Sequence, residues 1–120
     1  MKVEHLITRA LPLIKLNELN LQSLADIAQC LNLRMMKQNR AIFQIAELVP
    51  LKLKESKAYK GKDGHIASLL FCFGAAGHRQ RQLWSLLLNE FCENFVLRTA
   101  SAHSLSQVIQ ALCITDPRMS

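Results

Sequence analysis

Few side chains in this sequence are spaced for catalysis or metal binding. His5, His65, His78 and His103 are scattered, and they form neither a His-x-x-x-His pair nor a Cys/His ligand set. Cys30, Cys72, Cys92 and Cys113 sit inside apolar stretches without a C-x-x-C pair, so they read as buried thiols of a reducing compartment. The hydrolase elbow G-x-S-x-G is missing. Gly74-Ala75-Ala76-Gly77 ahead of a helix, beside Arg79 and Arg81, resembles a phosphate cradle, but it lacks the P-loop Lys-Ser/Thr and a linker is the simpler reading. Glu90 and Glu93 share a helical face outside any cleft motif. An enzyme is not expected, and neither is a cofactor or a metal.

The chemistry the spacing does favour is the gripping of a polyanion. From Arg34 to Lys62 there are eight Lys/Arg (Arg34, Lys37, Arg40, Lys52, Lys54, Lys57, Lys60, Lys62) against Glu47 and Glu55, a surplus of six that equals the net charge of the whole chain. Positive charge gathered on one helix and its neighbouring loop is an electrostatic footprint for nucleic acid. Lys37, Arg40 and Gln44 are expected to face base edges, because lysine and arginine reach guanine and glutamine pairs with adenine. Arg34, Lys52, Lys54, Lys60 and Lys62 are expected to hold phosphates. Lys57 falls on the opposite strand face and has no assigned role.

Two helices and a hairpin would position these groups. Ser23 and Asp26 form an S-x-x-D capping box, after which Leu24, Ile27, Ala28 and Leu31 make an apolar stripe. Asn32 suits the left-handed conformation of a tight turn, and Leu33 reads as the apolar plug behind it. A second helix begins near Arg34 or Met35. Its wheel puts Met35, Ile42, Ile45, Ala46 and Val49 inward with Gln38 and Asn39, and Lys37, Arg40, Gln44 and Glu47 outward. Val49-Pro50 is expected to end it, since the residue before proline is pushed out of the α region. Leu51-Lys52-Leu53-Lys54 alternates at strand period, KGKDG (Lys60–Gly64) reads as a hairpin tip, and HIASLLFCF (His65–Phe73) reads as the returning apolar strand.

The expected fold is therefore mostly α with a small β-hairpin: a winged helix-turn-helix over residues 1–76, with a recognition helix at about 34–48 and a basic wing at about 51–73. A two-helix extension over 77–120 would pack on it or dimerise. Its first helix, about His78–Leu97, has Trp84, Leu88, Phe91 and Phe95 at a/d-like spacing, and these are the candidate dimerisation residues. Its second follows a capping box at Ser104-x-x-Gln107. At the other end, Val3, Leu6, Ile7, Ala10 and Ile14 mark an amphipathic helix interrupted by Pro12.

Half of the 120 residues are hydrophobic, enough for a sizeable core, and the pI is near 9.5. No apolar run approaches the roughly 20 residues that span a bilayer, and the N-terminus does not read as a signal peptide. A cytoplasmic protein with no membrane partner is expected.

SLADIAQCLNLR (Ser23–Arg34), followed by a second helix and a basic hairpin, resembles the CaiF/GrlA family of small enterobacterial winged-helix transcription activators. The resemblance covers roughly Leu6–Phe73 and is carried by Asp26, Ile27, Ala28, Leu31 and Leu33. Gln38, Asn39 and the C-terminal helices depart from the family's pattern. What the resemblance implies is a bacterial transcription regulator that binds double-stranded promoter DNA. The rival reading is a winged-helix adaptor or anti-activator, its wing on an acidic partner and its aromatic helix in a hydrophobic groove.

Overall fold

The computed structural model describes residues 3–33, 39–55, 62–78, 80–94 and 100–115. Among these residues there are six α-helices, two 3-10 turns and no strand. The helices are α1 (Val3–Ala10), α2 (Leu21–Leu33), α3 (Asn39–Glu55), α4 (Lys62–Ala76), α5 (Arg81–Asn94) and α6 (Ala102–Thr115); the 3-10 turns are Leu11–Leu13 and Leu16–Glu18. The expected winged helix-turn-helix with its β-hairpin is thus corrected to an all-α bundle.

The bundle is built around α4. His65–Phe73, expected as the returning strand, is the middle of this helix. A short apolar run covered on every side carries no decisive period, so strand and buried helix look alike in it. Ile66, Ala67, Leu69, Leu70 and Phe73 are each 0% exposed, and Ser68 and Cys72 on the opposite side are buried as well, so the run is covered all round and shows no polar face. The most extensive packing on α4 comes from α6 and α2, and α5 and α3 add to it. Asp63-Gly64, read as a hairpin tip, lies in the first turn of α4, where an acidic side chain suits the positive end of the helix dipole.

The first strand of the expected wing is also helical, because α3 runs through Pro50 to Glu55. Here the burial pattern is decisive. Alternation would have put Leu51 and Leu53 on one side and Lys52 and Lys54 on the other. Instead Leu51 and Lys54 are exposed while Lys52 and Leu53 are buried, the order that a period of 3.6 produces. An internal proline costs a helix about 3 kcal/mol. Val49 at 0% and Leu53 at 6% exposure offset it, since each buried side chain of this size contributes roughly 1.5–3 kcal/mol.

Both expected capping boxes move upstream. Asn20 Oδ1 accepts the Ser23 N–H at 2.8 Å, so Asn20 caps α2 and Ser23 is already helical. Ser101 Oγ accepts the Ser104 N–H at 3.1 Å, so Ser101 caps α6. Asp63 Oδ2 in turn accepts the Ser101 N–H at 3.3 Å, tying the starts of α4 and α6 together. Leu33, read as a plug, is 73% exposed. The cysteines divide too: Cys72 is buried, while Cys30, Cys92 and Cys113 are exposed. Burial pushes the Cys72 thiol up to about 11, against a smaller lowering by the Ser68 hydroxyl.

One hydrophobic cluster extends from Leu16 to Ala111. The segment expected as an extension supplies Leu83, Trp84, Leu87, Phe91, Val108 and Ala111 to it. The N-terminal helix α1 packs chiefly on the 3-10 turn that follows it, leaving Leu6 57% exposed.

Candidate interaction site on α3

The two faces of α3 are sharply different. Ala41, Ile42, Ile45, Ala46, Val49 and Leu53 are buried against the bundle. Arg40, Phe43, Gln44, Glu47, Leu51 and Lys54 are exposed on the other side. The expected inward side chains Ile42, Ile45, Ala46 and Val49 do point inward, and Arg40, Gln44 and Glu47 point out.

The eight residues expected to contact DNA do not form one surface. Arg40, Gln44 and Lys54 share the outward face of α3. Lys52 is turned into the fold: its Nζ donates to the Asn17 carbonyl at 2.8 Å and lies 3.5 Å from Glu55 Oε2. That bond fastens the end of α3 to the 3-10 turn before α2. Lys62 is buried in the first turn of α4, its Nζ 3.3 Å from Glu90 Oε1 on α5. Two lysines counted as phosphate ligands thus have internal carboxylate partners. Arg34, Lys37 and Lys60 lie outside the described residues.

The expected dimerisation residues are placed as follows. Trp84 is 7% exposed and Phe91 1%, both within the chain's own core, and Leu88 is half-buried against it. The Trp84 indole N–H donates to the His78 carbonyl at 2.8 Å. Phe95 lies outside the described residues.

Beside the outward face of α3 runs a groove of about 520 Å³, lined by Ala46, Glu47 and Pro50 of α3 and by Gln80, Gln82, Leu83 and Leu86 at the start of α5. Pro50 has no N–H to give to the Ala46 carbonyl one turn earlier. Leu86, 37% exposed, is in the groove wall, and Phe43 at 53% and Leu51 at 54% exposure stand one turn to either side of the lining residue Glu47 on the same face of α3. Singly exposed apolar residues are ordinary, but several around one concave feature mark an interaction surface. Sequence reasoning passed over Phe43 and Leu86 and took Leu51 only as a residue of the expected wing strand. The signal for Phe43 was present, because it falls off the Ile42/Ile45/Val49 stripe on the helical wheel.

The position of Phe43 is fixed by the turn between α4 and α5. Gly77, at φ 79°, adopts the left-handed conformation that ends α4. The Gly77 N–H donates to the Gly74 carbonyl at 3.1 Å and the His78 N–H to the Phe73 carbonyl at 2.9 Å, the paired bonds of a Schellman motif. The His78 ring then lies 5.6 Å from Phe73 and meets Phe43 edge-on at 4.8 Å. Its Nε2 is enclosed without a hydrogen-bond partner, and burial lowers its pKa below the usual 6.5. The Gly-Ala-Ala-Gly segment therefore ends a helix and seats an aromatic junction.

No family model matches the chain, and comparisons with curated proteins and with solved structures found no match. The β wing that the CaiF/GrlA resemblance implies is absent among the described residues. No helix among them is long and apolar enough to cross a membrane.

Proposed function

We propose that this chain works by binding, as a protein-interaction adaptor whose docking face is the outward side of α3 together with the α3–α5 groove. The observation that carries this reading is the exposure of Phe43 and Leu51 on the same face as Arg40, Glu47 and Lys54. A partner would bury the two apolar side chains at the centre and meet the charges at the rim, the usual anatomy of a protein interface. The surplus of positive charge makes an acidic partner the better match. A cytoplasmic setting suits four cysteines that are all unpaired.

DNA binding remains the second reading, and one observation favours it. Arg40 and Lys54 project from one face, and Arg34, Lys37, Lys57 and Lys60 adjoin α3 in sequence. Titrating the intact chain into labelled random duplex at low and near-physiological salt separates the two. An adaptor has no saturable duplex affinity at the higher salt. A regulator that binds DNA has a log K falling linearly with log salt, by about 0.9 per phosphate contact, and loses binding in Arg40→Glu. That second outcome would sink the adaptor reading.

A further inference from the structure

We propose that the occupant of the α3–α5 groove is a helix from a partner protein with an acidic–basic–acidic charge pattern at heptad spacing around apolar anchors. This deepens the docking reading above and rests on it.

The outward face of α3 has a period of its own. Arg40, Glu47 and Lys54 recur at i, i+7 and i+14, and all three are exposed. At 1.5 Å per residue the two cations stand about 21 Å apart along the axis, with Glu47 midway. Phe43 and Pro50 hold the positions three residues after Arg40 and Glu47, and Leu51 sits beside Pro50. One stripe thus reads positive, apolar, negative, apolar, positive. Such a stripe suits a helix lying alongside, because side chains at heptad spacing keep facing the same neighbour. Ala46, Leu83 and Leu86 provide apolar walls for its anchors, and Gln80 and Gln82 provide amides at one end.

The charge order selects among occupants. Duplex DNA has one negative charge per about 1.7 Å of axis, so it would set phosphates against Glu47 and offer little to Phe43 and Leu51. A second copy of α3 pairs badly in either direction. Parallel pairing opposes Arg40 to Arg40 and Lys54 to Lys54, antiparallel pairing opposes Arg40 to Lys54, and both stack Glu47 on Glu47. Like charges placed opposite each other act against a partner. A helix with carboxylates facing Arg40 and Lys54 and a cation facing Glu47 meets all three with opposite charge.

The test uses the intact chain and three designed helical peptides of about four turns with identical apolar anchors. One has the acidic–basic–acidic pattern, one the inverse, and one glutamine at all three positions. Fluorescence anisotropy gives the affinities, and backbone NMR shifts locate the contact. The acidic–basic–acidic peptide is expected to bind about tenfold or more tighter than its inverse, with shifts confined to α3 and the start of α5. The double variant Arg40→Glu, Lys54→Glu should reverse that preference, and because both side chains are exposed it should keep the native circular dichroism. Equal affinity for the two charged peptides, or an order unchanged in the double variant, would overturn the charge assignment. Duplex DNA binding at the same residues more tightly than any peptide would overturn the choice of partner while leaving α3 as the docking face. Silence of α3 and α5 toward every probe would remove the docking reading as well.

Discussion

Replacing Pro50 with alanine tests the continuity of α3 with an effect of definite sign. In the structure Pro50 lies well inside the helix, half-exposed, between buried Val49 and buried Lys52. Alanine restores an N–H for the Ala46 carbonyl and recovers about 3 kcal/mol of helix propensity. Proline's restraint on the unfolded chain is lost, which costs about 0.4–1 kcal/mol. Trimming a half-buried ring costs on the order of 0.5 kcal/mol more. The net expectation is stabilisation by about 1.5–2 kcal/mol, or roughly 5–8 °C in Tm for a chain of this size. Urea denaturation followed by far-ultraviolet circular dichroism reads it as a higher midpoint at constant m-value. Had the helix stopped at Val49, proline would sit in a connection that suits it, and alanine would destabilise by about 0.4–1 kcal/mol. An unchanged or lowered midpoint therefore refutes the continuous helix.

Other parts of the bundle make equally definite claims. Lys62→Met should destabilise by at most about 3 kcal/mol, the low end for a buried pair because Glu90 is partly exposed, and adding Glu90→Leu should recover much of the loss; a double-mutant cycle measured by chemical denaturation checks both. Ser101→Ala should cost about 1 kcal/mol by removing the α6 cap. Asn20→Ala should cost about the same at α2, whereas a dominant effect from Asp26→Ala in the same denaturation assay would restore the capping box read from sequence. For His78 the folded pKa is lowered below 6.5 by burial, so the unfolded chain binds the proton more readily. Its contribution to stability is complete above about 6.5 and is lost as pH falls through the folded-state value. A Tm-against-pH series should show that decline, and His78→Phe should flatten it.

Much of the helical framework was legible where the apolar period was clean. Leu24, Ala28 and Leu31 on α2, and Ile42, Ile45 and Val49 on α3, are buried as their spacing implies, because a one-sided stripe fits only one secondary structure. The reading failed where the pattern suited two periods. In Leu51-Lys52-Leu53-Lys54 four residues are too few to separate 2.0 from 3.6, and the missing fact was that Lys52 reaches Asn17 and counts as an inward residue. In His65–Phe73 burial on all sides erased the period. Lys62-Asp63-Gly64 looked like a turn because its composition matches one, yet both charged side chains find partners, on α5 and at the residue that caps α6, which local sequence does not reveal.

The same residues explain why the cations counted along the chain are not all available on its surface. Lys52 and Lys62 are two of the eight cations between Arg34 and Lys62, but each is held within the fold against a carboxylate, Glu55 or Glu90, so neither pair adds to the formal +6. A buried, paired ammonium projects little field to a distant ligand, since its partner cancels it at close range. What α3 presents outward is an ordered set: Arg40 and Lys54 with Glu47 between them, and Phe43 and Leu51 alongside. A ligand that answers only to total charge would have no use for that order or for the exposed phenylalanine. A partner helix would use both, and so the arrangement on α3 weighs more for function than the sum of the chain's cations.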